Sequence, residues 1–276
     1  MDRAVIIGAF QFLGFHFCRS LLDLGFEVVG VRSENEEKDA HLIEKRMEIG
    51  RNANFSEINM SELLSQVELH AQTLILIDYY SFSAAGQRVL SKEDHVLERF
   101  IINNKQKIAE TDTRIISLLP VQWLHQKNKN IQHILENEII SHRIFLPTIY
   151  GPWQPNSFLF QQYLMKLSNP DRELSIHDCE WVHDTLYIGD IVEPILKLAE
   201  TTSADAYTLK SDIPHYWKKC AEYLSIPADV LEMIPNKDAP ERSEIKIKTV
   251  KNRTLFSEGI ENQKRHLKMI DDGGIY

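Results

Sequence analysis

A chain of 276 residues with 43% hydrophobic and 26% charged side chains can form one large α/β domain, or a core domain with a smaller appended one. Its formal net charge of −9 lacks the basic excess of a general nucleic-acid binder. No apolar run approaches the ~20 residues of a membrane span, so a soluble, cytoplasmic protein without membrane contact is expected.

Ala4–Ile7 is a short apolar, β-branched run, as a strand buried on both faces requires. Gly8 to Gly14 is a turn. Phe12 to Leu24 reads as a helix, with Leu13, Phe17, Leu21 and Leu24 at helical spacing and Gly25 as its C′ residue. A strand at Glu27–Val31 precedes a charged segment, Ser33 to Arg51, that reads as a surface helix. A weak strand near Phe55–Ile58, a helix near Ser61–Leu69 and a strong strand at Thr73–Ile77 follow. Glu93–Glu110 is predicted helical, Arg114–Leu119 a strand, Asn128–Asn137 helical and Arg143–Leu146 a strand. This alternation implies a doubly wound parallel sheet of Rossmann type over residues 1–150.

The texture changes after Gly151. Phe158–Leu167 looks helical, Glu173–Ile176 and Trp181–Tyr187 look like short strands, and Ile191–Glu200 is helical. Residues 151–276 therefore read as a smaller α+β region suited to substrate binding, ending in a frayed tail from Asp271. The cysteines Cys18, Cys179 and Cys220 show no CxxC spacing, which suits a reducing compartment.

A strand-turn-helix with glycines lets backbone N–H groups and the helix dipole meet a pyrophosphate. Gly8 and Gly14 hold the first and last positions of a G-x-x-G-x-x-G loop, and Gln11 replaces the middle glycine. The candidate phosphate-binding residues are Gly8, Phe10, Gln11, Phe12, Leu13 and Gly14; the Gln11 side chain must either swing away or fill the site. The second strand ends in Arg32-Ser33, where an acidic residue would grip a ribose 2′-hydroxyl. The pair suits the 2′-phosphate of NADP over NAD; a solvated arginine at a strand end is the other reading.

The stretches "GAFQFLGFHFCRSLLDLGFEVVGV", "LPTIYGPWQ" (Leu146 to Gln154) and "HDTLYIGDIVEPILKLAE" (His183 to Glu200) resemble, in order, three landmarks of the extended short-chain dehydrogenase/reductase family of nucleotide-sugar epimerases and dehydratases. "AYTLKSD" (Ala206 to Asp212) and the helix Pro214–Leu224 are similar to the family's late strand and helix. The resemblance implies that the stretch holding Pro147 and Tyr150 borders a nicotinamide, and that Asp190 fixes a turn and helix start. It also implies pairing through helices resembling Glu93–Glu110 and Asn128–Asn137, so a homodimer or another protein partner is open.

Departures from the family pattern bear on activity. The family's oxidoreductase chemistry uses a Tyr-x-x-x-Lys pair with a Ser or Thr. Here Leu118, beside Ser117, stands at the hydroxyl position, and no tyrosine lies between Tyr80 and Tyr150. The following loop is also shorter than the family's. Trp123-x-x-x-Lys127 and His125-x-x-x-Lys129 are the registers left, and His125, Lys129 and Tyr150 are the candidate catalytic residues. His183 falls where an arginine often clamps the substrate diphosphate, which argues against a nucleotide-sugar substrate. Tyr79 and Tyr80 replace small residues beside the adenosine, and could stack on a ligand or fill its groove.

His177, Cys179 and His183 would share one face of a straight strand and could ligate zinc. A turn at Asp178–Glu180 breaks that alignment, so no metal is expected. Trp153, Phe158, Phe160 and Tyr163 could line a small-molecule cleft or an apolar interdomain seam. The leading expectation is an NAD(P)-binding pseudoenzyme acting through cofactor or partner binding. An active NADP-dependent reductase or epimerase with His125 or Tyr150 as acid/base, and an interaction scaffold without cofactor, are the alternatives.

Overall fold

The computed structural model describes residues 2–33, 41–84, 92–124, 141–201, 205–234 and 245–272. His125, Lys127, Lys129 and the expected helix Asn128–Asn137 lie outside them, as do the last four residues of the tail. The chain divides into two compact units. The first comprises Met1–Leu119, Lys127–Ile144 and Ile195–Ala206; the second comprises Pro120–Gln126, Phe145–Pro194 and Tyr207–Tyr276.

The strands are β1 (Arg3–Ile7), β2 (Glu27–Arg32), β3 (Phe55–Asn59), β4 (Thr73–Asp78), β5 (Arg114–Pro120), β6 (Ser141–Leu146), β7 (Thr148–Tyr150), β8 (Thr185–Tyr187), β9 (Ala206–Ser211) and β10 (Lys246–Val250). Eight of them form a sheet in the order β10-β9-β6-β5-β4-β1-β2-β3. The pairs β1–β2, β1–β4, β2–β3, β4–β5 and β9–β10 are parallel. Every residue of β4 and β5 is buried, as expected for strands covered on both faces. The doubly wound parallel sheet expected from the sequence is thus present.

The first unit carries α1 (Phe12–Asp23), α2 (Leu42–Ile49), α3 (Leu63–Gln66), α4 (Tyr79–Ala84), α5 (Lys92–Asn103) and α6 (Lys105–Glu110). Leu13, Phe17 and Leu21 of α1 are buried as their spacing predicts, whereas Leu24 is exposed because it is already the C-cap. The helix ends with Gly25 N–H donating to Leu22 O and Phe26 N–H to Leu21 O, the double bond of a Schellman motif. The helix expected over Ser61–Leu69 is shorter: a 3₁₀ turn at Met60–Glu62 leads into α3, started by a capping box between Asn59 and Glu62. The single helix expected over Glu93–Glu110 is interrupted at Asn104, whose side-chain amide donates to the Phe100 carbonyl at 2.8 Å.

In the second unit β7 and β8 pair in parallel. The helices Leu159–Ser168, Tyr216–Tyr223 and Phe256–Asp271 contribute to a core that includes Tyr150, Phe160, Trp217, Cys220 and Ile260. Glu173–Ile176 does not form the expected strand. Gln162 captures both backbone polar groups of Ser175, accepting from its N–H and donating to its carbonyl at 2.8 Å each, which replaces a ladder partner. Of Trp181–Tyr187 only Thr185–Tyr187 is a strand, because the chain turns at Asp178–Cys179 and again at Val182–His183.

Candidate functional site

The strand order reverses between β1 and β4, since β2 and β3 lie to one side of β1 and β4, β5 and β6 to the other. Ligands of open α/β sheets bind beyond the C-terminal ends of strands at such a point. Here those ends lead into the Gly8–Gly14 turn and into α4.

Gly8 adopts φ of +86°, a conformation a side chain would strain, and its N–H donates to Val31 O at 3.0 Å. Gly14 packs directly on that turn: a Cβ there would fall within the Gly8 carbonyl. Both glycines therefore have the backbone roles their positions predict. Gln11 is the N-cap of α1, extended at φ −71° and ψ 168°; its half-exposed side chain does not bond to the first turn.

The first-turn amides of α1 are mostly matched from within the chain. Leu13 N–H donates to Ser81 Oγ at 3.1 Å, and Gly14 N–H donates to Asp78 Oδ2 at 2.8 Å. Asp78 Oδ1 accepts the Ser81 N–H at 2.9 Å. Burial pushes the Asp78 carboxyl up to about 6, against the pull of those donors. The Phe12 N–H is the first-turn donor left without a partner among the described residues. Phe10 is buried; its carbonyl accepts from Lys45 Nζ at 2.7 Å, and the Arg46 guanidinium lies 5.6 Å from its ring centroid. Tyr79 and Tyr80 are both buried, so neither is an open stacking platform.

At the end of β2, Ser33 is buried and Arg32 is 8% exposed. Arg32 is not the solvated arginine that the sequence allowed. Its Nε donates to Glu57 Oε1 at 3.0 Å and its Nη2 to Asn59 Oδ1. Glu57 also holds Arg46, through Nε at 2.9 Å and Nη2.

On β5, Leu118, which the sequence put at the hydroxyl position, is fully buried. The neighbouring Ser117 Oγ is buried without a hydrogen-bond partner among the described residues.

The second unit gives Tyr150 a different surrounding from the one expected of an acid/base. Its ring is fully buried, with centroids 6.0 Å from Phe160 and 5.5 Å from Tyr187. Burial beside Cys220 and Tyr216 pushes its hydroxyl far above the usual tyrosine range. Pro147 is buried between β6 and β7. Phe158 and Phe160 are buried, Phe160 stacks on Trp217 at 5.3 Å, and Trp153 meets His266 at 4.2 Å. Phe160 with Trp217 thus belongs to the core of this unit. His183 is exposed against Trp181. Asp190 accepts from Thr254 N–H and Oγ1 at 3.1 Å each, tying down the approach to the helix Phe256–Asp271. Among the described residues no three His, Cys, Asp or Glu side chains cluster as a metal site would need. No described helix is long and apolar enough to cross a membrane.

No protein-family model matches the chain. An uncharacterised 37.6 kDa protein in the cld 5′ region of Escherichia coli O111:H− is 24% identical over 247 residues, covering 72% of this chain and 69% of that protein. Among solved structures, UDP-glucuronic acid 4-epimerase from Bacillus cereus, in complex with UDP-glucuronic acid and NAD, superposes with a TM-score of 0.64. It is 14% identical and covers 97% of this chain and 99% of its own. dTDP-glucose 4,6-dehydratase from Bacillus anthracis, in complex with NAD, superposes with a TM-score of 0.65 at 8% identity, covering 99% and 98%. The chain shares the fold of these epimerase and dehydratase structures.

Sequence reasoning missed two buried carboxylates. Glu180 accepts from Leu159 N–H at 2.9 Å, Trp217 Nε1 at 2.8 Å and Thr148 Oγ1 at 3.3 Å, and burial raises its carboxyl. Asp184 accepts from Ser211 N–H at 2.7 Å and Thr185 N–H at 2.9 Å, and burial pushes it up to about 6. Both lie in the stretch His177–Thr185, which has no regular apolar period to mark them as interior.

Proposed function

We propose that this chain binds a nicotinamide dinucleotide at the β1/β4 switch point and lacks the acid/base machinery of the epimerases and dehydratases whose fold it shares. The observation that carries the reading is a glycine turn kept intact beside a Phe12 N–H that has no partner among the described residues, together with a buried Leu118 where that chemistry needs a hydroxyl. The Gly8–Gly14 backbone would hold the pyrophosphate, and the end of β2 would hold the adenosine ribose. The bound cofactor would supply a hydride acceptor or donor. The chain's own residues bind and orient it, and the Tyr150 ring is fully buried against Phe160 and Tyr187 instead of open to a substrate.

The sequence favours NADP through Arg32 and Ser33. The engagement of Arg32 with Glu57 and Asn59 weighs against it, so the cofactor class is NAD or NADP and both belong in the test. A second reading, an interaction scaffold without cofactor that acts through a protein partner or a second copy, is favoured by one observation. Leu13 and Gly14 have given their amides to Ser81 and Asp78 rather than to a ligand.

The test measures NAD and NADP binding to the purified chain by isothermal titration calorimetry, then adds UDP-glucuronic acid and follows absorbance at 340 nm and the sugar by nuclear magnetic resonance. Dinucleotide binding without sugar conversion is the expected result. Steady conversion would identify a working enzyme, and the absence of any dinucleotide binding would leave the scaffold.

A further inference from the structure

We infer that Glu57, on β3, sets which dinucleotide the ribose end of the site accepts, by holding Arg32 and Arg46 on a single carboxylate. The inference rests on the reading that a dinucleotide binds at the switch point. In this fold an acidic residue at the end of β2 receives the ribose 2′-hydroxyl, and an arginine nearby accommodates a 2′-phosphate. β2 ends in an arginine here, and among the described residues the carboxylate that meets it comes from the adjacent strand. Glu57 is opposite Gly30 in the β2–β3 register, with Asn59 opposite Arg32.

Three features make Glu57 the determinant. First, its Oε1 accepts from Arg32 Nε at 3.0 Å and from Arg46 Nη2, while its Oε2 accepts from Arg46 Nε at 2.9 Å. Two guanidiniums from β2 and α2 therefore converge on one carboxylate. Second, the Arg32 fork is fixed in direction, because its Nη2 donates to Asn59 and the residue is only 8% exposed. Third, Arg46 lies over the ring of Phe10, a residue of the phosphate-binding turn. This ion-pair network thus borders the cofactor loop.

A 2′-phosphate is a dianion that needs these same guanidiniums as bidentate donors. To reach them it must displace Glu57 or lie beside it, and like charges at that distance repel. A neutral 2′-hydroxyl meets no such conflict and can donate to the carboxylate. The wild-type chain should therefore prefer NAD to NADP, despite the arginine at the end of β2.

The test measures NAD and NADP affinity by isothermal titration calorimetry for the wild type, Glu57→Gln and the double variant Glu57→Gln/Arg32→Gln. The glutamine keeps the shape of the side chain and one acceptor while removing the charge. Glu57→Gln should raise the NADP-to-NAD affinity ratio at least tenfold, and the double variant should cancel the gain. Arg46→Gln, at a more exposed position, provides an independent arm: it should lower the ratio severalfold, since one guanidinium is lost and Glu57 then pairs with Arg32 alone. If both dinucleotides bind with a ratio that neither Glu57→Gln nor Arg46→Gln moves, Glu57 is not the determinant. If neither dinucleotide binds the wild type or Glu57→Gln while circular dichroism shows both folded, the cofactor reading itself falls, and this inference with it.

Discussion

Gly14 N–H donates to Asp78 Oδ2 at 2.8 Å, so the last residue of β4 caps the first turn of α1. The N-terminal amides of a helix carry partial positive charge and favour an anion. In this chain part of that demand is met by its own carboxylate, which also receives the Ser81 N–H at the start of α4. One buried aspartate thus ties together the two segments that follow β1 and β4, at the point where the sheet reverses order. Among the described residues the Phe12 N–H is the amide of that turn without a partner.

This arrangement has a pH signature. Burial holds the Asp78 carboxyl near 6, above its ordinary 3.8. Between about pH 4 and 6 the folded state keeps a proton that the unfolded state has lost, so stability falls as pH rises through that window. An amide in place of the carboxyl has no such proton to lose. In urea denaturation, the Asp78→Asn variant should therefore gain on the wild type by up to ~3 kcal/mol between pH 4 and 7. A stability difference that stays flat over that range would show that the carboxyl titrates normally. Asp184, also raised to about 6, adds a slope of the same sign in both proteins.

Gly14→Ala places a methyl group against the Gly8 carbonyl, where both partners are backbone and neither can rotate away. The expected cost is about 3 kcal/mol or more, at the upper end of overpacking. Equilibrium denaturation measures it. A loss under about 1 kcal/mol would mean that α1 shifts freely on the sheet.

Glu180→Ala removes three hydrogen bonds and leaves the Leu159 amide and the Trp217 indole N–H without their buried acceptor. Removing one partner of such a set costs about 3 kcal/mol. The variant should also show altered tryptophan emission, because Trp217 loses its bond to the carboxylate. Unchanged stability and emission would contradict the role given to Glu180.

Tyr150→Phe keeps the ring packed against Phe160 and Tyr187 and removes only a buried hydroxyl. Thermal stability should change by less than about 1 kcal/mol, within the range of conservative core swaps. Dinucleotide affinity should stay within twofold. A large loss of affinity or of any turnover would return Tyr150 to the chemistry.

Much of the fold was legible because its carriers are local. The apolar runs Ala4–Ile7 and Thr73–Ile77, the glycines at positions 8, 14 and 25, and the helical spacing of Leu13, Phe17 and Leu21 each act within a few residues. The helix Phe256–Asp271 was missed because its buried face mixes Ile260 and Leu267 with Gln263, which is fully buried and bonded to Gln154 and Gln161 at 2.8 and 2.7 Å. A core glutamine breaks the apolar period that reveals a helix. The candidate site was legible only as backbone. That Arg32 would meet Glu57, or that Asp78 would reach Gly14, depends on pairings 25 and 64 residues apart in sequence. No local pattern encodes such pairs.

The most direct measurement of the central claim is a titration of the purified chain with NAD, followed by its thermal unfolding. A ligand that binds only the folded state stabilises it by about 2.7 kcal/mol at a hundredfold excess over its dissociation constant. A dinucleotide-binding chain without acid/base machinery gives a saturable rise in melting temperature with NAD and no conversion of an added nucleotide sugar. A melting temperature unmoved by millimolar NAD or NADP would contradict it and leave a dinucleotide fold without a dinucleotide.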